Sequence, residues 1–166
     1  MEPGHFEAVR ELIKYGAYVD FPNGKGTTAL MRASQEGHVD ISKLLVEYGA
    51  SANRRNNEGM NALMLASQRG HASMVSLLIR SGAQVDAQTT QGSTALMLAC
   101  KRGHEDVVKV LISMGAEINM KDCRMRTARD TATRRHHEGL LRWLDSQVQI
   151  RVIRSCLRRK RNGVLM

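Results

Sequence analysis

Aromatic residues make up only 4 % of the 166-residue chain. A core must therefore come from Leu, Val, Ile, Ala and Met. No apolar run approaches the ~20 residues that span a bilayer. The opening stretch, MEPGHFEAVRELIKYG, carries acidic residues and no long apolar segment, so it does not read as a secretory signal. Cysteine is sparse and odd in number: Cys100, Cys123 and Cys156 show no paired short spacing. That predicts free thiols in a reducing compartment, the cytoplasm first and the nucleus second.

Chemistry is also missing. No glycine-rich phosphate loop follows a strand, and no nucleophile, His and acid stand in a supporting pattern. Five of the six His, at 5, 38, 71, 104 and 137, recur at a fixed interval and open helices. His136, His137 and Glu138 are adjacent, and adjacent helical residues point in different directions rather than converging on one ion. The expectation is a non-enzymatic protein without metal or cofactor.

The net charge of +9 is uneven. Residues 1–120 carry 12 Lys/Arg and 12 Asp/Glu; residues 121–166 carry 13 against 4. The basic excess belongs wholly to the C-terminal end.

What the chain does contain is repetition. TALMRASQEGH (28–38), NALMLASQRGH (61–71) and TALMLACKRGH (94–104) are 33 residues apart. Gly-His recurs at 4/5, 37/38, 70/71 and 103/104, and Gly-Ala at 16/17, 49/50, 82/83 and 115/116. Asp20, Asn53, Asp86 and Asn119 share one phase; Ala33, Ala66, Ala99 and Ala132 share another. A fixed period of this length marks stacked units.

Residues 94–120 illustrate one unit. Thr94 is placed to cap a helix through its hydroxyl. Leu96, Ala99 and Cys100 then follow at helical spacing, and Gly103 ends the run. A second helix follows, with an apolar stripe of Val107, Val108, Leu111 and Ile112 and with Glu105 and Asp106 at its positive end. Gly115 ends it, and an extended connection leads on. Neither helix is long enough to stand alone in water. Each copy keeps the same contact surface because each meets the same neighbour.

These motifs resemble the ankyrin repeat over roughly residues 4–145. The resemblance implies an all-α helix-turn-helix solenoid with projecting hairpin-like loops and a concave face for partners. The family's Thr-Pro-Leu-His pattern is altered: Ala29, Ala62 and Ala95 replace the Pro, and Met31, Met64 and Met97 replace the His. We read the three Met as a column of soft contacts between stacked helices. Cys100 shares the slot of Ser34, Ser67 and Thr133, which predicts a buried, inert thiol; Cys123 lies on a loop. The units run as an incomplete first unit 1–22, then 23–55, 56–88 and 89–121, a capping unit 122–145 and a basic amphipathic tail 146–166.

The first unit has only a second helix, whose Val9, Leu12 and Ile13 are expected to pack on the next unit. It reads either as part of a longer array or as an exposed apolar edge for a partner or second copy. Residues 1–16 are expected to be the least stable. In the capping unit Asp130 replaces the Met and His136 the Gly; Arg129, Arg134 and Arg135 make it polar. His tolerates positive φ better than most residues, so that turn is expected to survive. In the tail, Val148, Val152 and Cys156 share a face among many Arg. Three readings stay open: a solvated extension, a helix for acidic membranes or calmodulin-like grooves, and a nuclear import signal at Arg158, Arg159, Lys160 and Arg161.

Positions that vary while the frame is held are the binding candidates. In the first helices these are Arg32 and Gln35; Leu65, Gln68 and Arg69; Leu98, Lys101 and Arg102. The loop tips add Arg55 and Gln88. Glu36, Arg69, Arg102 and Arg135 share one phase and are expected to form a file that turns basic after Glu36, with Lys101 and Arg134 beside it; Leu65 and Leu98 are expected as exposed apolar contacts. The partner expected is another protein, through an acidic segment with apolar anchors. The alternatives are a nucleic-acid-binding protein and a membrane-attached scaffold, both using the tail. The neutral region 1–120 and the lack of stacking aromatics argue against nucleic acid.

Overall fold

The structure, a computed structural model, describes the backbone of residues 3–162 and the side chains of residues 5–150. Among the described residues nine helices form in chain order: α1 (Pro3–Lys14), α2 (Ala29–Glu36), α3 (Val39–Glu47), α4 (Ala62–Arg69), α5 (Ala72–Arg80), α6 (Ala95–Arg102), α7 (Glu105–Ser113), α8 (Ala128–Thr133) and α9 (Glu138–Asn162). Apart from one isolated antiparallel bridge, Gln88 to Thr94, the described residues form no strand.

The start of each first helix is set by one side chain. Thr28, Asn61, Thr94 and Thr127 take extended backbone, and their side-chain oxygens accept from the amides of Met31, Met64, Met97 and Asp130. Such a cap contributes about 1 kcal/mol. α2, α4 and α6 end at Gly37, Gly70 and Gly103, all left-handed. His136 holds the equivalent place at φ 57, so the turn survives there.

The four first helices α2, α4, α6 and α8 stack in a row, each with its unit's second helix packed behind it. Small residues permit the close approach: Ala66, Ala99, Ala132, Ser67 and Cys100 are fully buried. Met31, Met64 and Met97 are buried between them, as the packing reading of the Met column requires. His71 and His104 tie units together, each placing Nε2 3.1 Å from a carbonyl of the preceding first helix, those of Gln35 and Gln68. A Cβ on Gly70 would lie 2.8 Å from the His104 ring, so the Gly-His pair is also a packing requirement.

The connections are as periodic as the helices. Asn23, Asn56, Thr89 and Asp122, one per unit, each fold a loop by accepting two backbone amides with one side-chain oxygen. Backbone bonds join loop to loop: Asn57 N to Lys25 O, Thr90 N to Glu58 O, and Cys123 N to Gln91 O. The Asp20, Asn53 and Asp86 phase has a task too, since these side chains accept the amides of Ser51, Gln84 and Glu117 in the next unit.

The ends differ from expectation in two respects. Val9 and Ile13 pack on the core with Phe6, but Leu12 is 62 % exposed. Leu45, Leu78 and Leu111 hold the same phase in α3, α5 and α7, units with a first helix of their own, and each is buried. Among the described residues no first helix packs beside α1. At the other end, α9 runs from the capping unit across residue 146 without interruption. Arg129 on α8 grips Asp145 on α9 through two hydrogen bonds of 2.6 and 3.1 Å, fixing the two helices together. No described helix is long and apolar enough to cross a membrane.

Candidate functional site

The free surface of the stacked first helices, beside the loops that precede them, is the face on which the resemblance puts the concave side. Arg69, Lys101 and Arg102 are exposed there and make no ion pair among the described residues. Arg32 is exposed as well, but it lies 3.7 Å from Glu36 on the same helix. Gln35 and Gln68 are half-buried, and their carbonyls are the ones bound by His71 and His104.

Leu65 and Leu98 are not the exposed anchors that the sequence suggested. They are 9 % and 8 % exposed respectively. The cause is the tight stacking of small-residue helices, which closes over them from both sides. Their phase holds Arg32 in α2 and Thr131 in α8, and sequence alone does not show that neighbouring helices sit close enough to cover a Leu.

The loop candidates turn out to brace the frame. The Arg55 guanidinium donates to the Gln88 carbonyl. The Gln88 amide donates to the carbonyls of Gly92 at 2.7 Å and Lys121 at 3.1 Å. Both side chains link consecutive loops, a contact between residues 33 apart in sequence.

Two depressions mark the concave face. A shallow one of about 340 Å³ is bordered by Gln68, Arg69, Arg102 and His104. A larger groove of about 650 Å³ lies between α6 and α8 and the loops before them. Leu98 and Lys101 line it. Its other cations are Arg124, Arg126, Arg134 and Arg135. Sequence reasoning missed Arg124 and Arg126, whereas Arg135 belongs to the expected basic file and Arg134 stands beside it. The signal lay in the period: the four corresponding positions of the preceding unit are Gln91, Ser93, Lys101 and Arg102.

One of these cations is spoken for. Arg126 forks onto Asp122 with contacts of 2.8 and 2.6 Å. Burial opposes ionisation of Asp122, yet the Arg126 guanidinium and the amides of Arg126 and Arg124 outweigh it and hold the carboxyl below its usual range. Asp130, in the Met phase, closes a capping box with Thr127, and the Thr127 amide and hydroxyl lower its pKa. Neither carboxylate is left to bind or react.

Burial pushes the Cys100 thiol up to about 12. Cys123 is exposed on its loop. Among the described residues no three His, Cys, Asp or Glu are grouped to hold a metal ion. The side chains of Arg158, Arg159, Lys160 and Arg161 lie outside the described residues.

Comparison with known proteins agrees with the geometry. The family model for ankyrin repeats, in three copies, matches residues 1–56, 49–122 and 67–151. A search of curated proteins finds no match. With helix pairs stacked at a 33-residue period and nearly the whole chain matched, this protein belongs to the ankyrin repeat family, whose members generally mediate protein–protein interaction.

Proposed function

We propose that the chain is an interaction module, an adaptor or scaffold that holds a partner protein on its concave face and loop tips. The observation that carries this is the split between frame and surface. The residues held in phase are capped, buried or bonded to the next unit. Lys101 stands where the two preceding copies carry Gln, and Arg69 and Arg102 stand where the first carries Glu; all three are exposed and have no ion-pair partner among the described residues. Arginine donates two parallel hydrogen bonds to a carboxylate, so an acidic segment of the partner suits this face. The apolar part of that contact is small, since Leu98 offers only a margin at the floor of the groove.

The test is the double variant Arg69→Glu with Arg102→Glu. Both side chains are exposed, so the array is expected to keep its helicity and melting behaviour while losing capture of partners in a pull-down. A correctly folded variant that retains every wild-type partner would remove the concave face as the binding surface.

A further inference from the structure

We infer that the groove between α6 and α8 is a phosphate-reading pocket, which takes a phosphorylated serine or threonine of the partner segment. This rests on the concave-face reading and narrows it to one place and one chemical group. The groove brings Lys101, Arg124, Arg134 and Arg135 together as exposed side chains, with no ion pair to any described residue. The carboxylate that lines it, Asp122, is occupied by Arg126. Arg134 also helps to hold the Asp130 carboxyl low, but the lining as a whole keeps an excess of positive charge that a compact dianion complements.

Position along the array sharpens the argument. Lys25, Glu58, Gln91 and Arg124 share one phase; Thr27, Met60, Ser93 and Arg126 share another. Gln35, Gln68, Lys101 and Arg134 form a third, and Glu36, Arg69, Arg102 and Arg135 a fourth. Only in the last unit are all four positions arginine. A cap needs polarity, which residues of either sign supply; it does not need one sign aimed into a groove. Arginine forks bind phosphate oxygens two at a time, and a phosphoryl group carries about −1.5 to −2 where a carboxylate carries −1. Ser93 and Thr131 add hydroxyls to the same wall. Met97 and Leu98 form an apolar floor for one aliphatic side chain beside the phosphate. The lining holds no aromatic side chain on which a base could stack, so a peptide fits better than RNA.

The experiment is an NMR titration of the full chain with three synthetic peptides. They are identical except for one position, which is Ser, phosphoserine or Glu and lies two residues after a Leu. Inorganic phosphate and an oligouridylate serve as further probes. The phosphoserine peptide is expected to bind at least about tenfold tighter than the other two, a difference of about 1.4 kcal/mol. Its shifts should centre on residues 98, 101, 124, 134 and 135. Arg124→Gln with Arg135→Gln, or Lys101→Gln alone, should remove the preference without changing the circular dichroism. Equal binding of the phosphoserine and Glu peptides, inorganic phosphate binding as tightly as the peptide, or tighter binding of the oligouridylate would each overturn the inference. If the Arg69/Arg102 variant loses its partners while no phosphate preference exists, this inference fails and the concave-face reading stands. If neither variant changes anything, both fail.

Discussion

Gly103 and His136 occupy the same place in consecutive units, both with positive φ, and they predict substitutions of opposite sign. Gly103 sits at φ 76, and a Cβ there would lie 2.6 Å from Cε1 and 2.8 Å from Nδ1 of His137, a half-buried ring. In Gly103→Ala the left-handed backbone alone costs about 1–2 kcal/mol. The stiffer unfolded chain returns about 0.4–1 kcal/mol of that. Displacing the ring adds a packing cost of about 1–3 kcal/mol. A net loss of about 1–5 kcal/mol is therefore expected. His136 has φ 57 and an exposed side chain with no hydrogen bond. His136→Gly removes the backbone strain at the cost of a more flexible unfolded chain, so a gain of about 0.5–1 kcal/mol is expected. Urea unfolding followed by circular dichroism gives the midpoints. Hydrogen exchange over α6 to α9 is needed beside it, because stacked units can open separately. A Gly103→Ala midpoint close to wild type, or a destabilised His136→Gly, would show that these turns are not set by backbone conformation as argued.

Three further expectations use other parts of the fold. Met64→Ala should cost about 2–5 kcal/mol and Met64→Leu less than about 1.5 kcal/mol, since Met64 is 1 % exposed between α2 and α6; equal, small effects in a melt would return the Met column to the surface. Iodoacetamide at pH 8 should label Cys123 in the folded protein and leave Cys100 untouched, as peptide mass mapping would reveal, because burial holds the Cys100 thiol up at about 12. Asp122, Asp130 and Asp145 all have lowered pKa values in the fold, Asp145 through the Arg129 guanidinium. Their stabilisation is complete above the unfolded value of about 3.9 and is lost as pH falls through the folded values. Acid should thus open α8 and the start of α9 before α4 and α5, and Asp145→Asn should weaken that dependence; uniform acid unfolding seen by hydrogen exchange would contradict it.

The fold was largely legible because a solenoid writes its contacts into its period. Every first-helix cap, Gly turn and buried Ala could be placed from one 33-residue interval. What stayed hidden were the contacts between copies. The pair Arg55 and Gln88 reads as two variable loop residues until the loops are seen side by side. Leu65 and Leu98 read as exposed because helical spacing says which face a residue occupies, but not how near the next helix stands. Leu12 reads as packed because it lies on an apolar stripe, while the equivalent Leu45, Leu78 and Leu111 are buried in units where a first helix packs beside them. Asp130 was noticed as a missing Met and not as a capping-box acid, although Thr127 three residues earlier carried the signal.

The capping unit collects the local departures from this frame. α8 has six residues where α2, α4 and α6 have eight. Met125 and His136 hold positive φ where the other units use Gly. The Nε2 of His137 is buried without a hydrogen-bond partner, whereas His71 and His104 reach a carbonyl. The same unit supplies four of the five cations of the large groove. In natural proteins such local conflicts tend to gather at functional positions, where they lower stability in exchange for something the site requires. A ligand that binds only the folded groove stabilises that unit through linkage, by about 2.7 kcal/mol at a hundred times its dissociation constant. Saturating phosphoserine peptide should therefore slow exchange in α8 and the first turns of α9 and leave α2 to α5 unchanged. Protection that rises evenly along the array, or only in α1 and α2, would place the adaptable end of the molecule elsewhere and detach its irregularity from recognition.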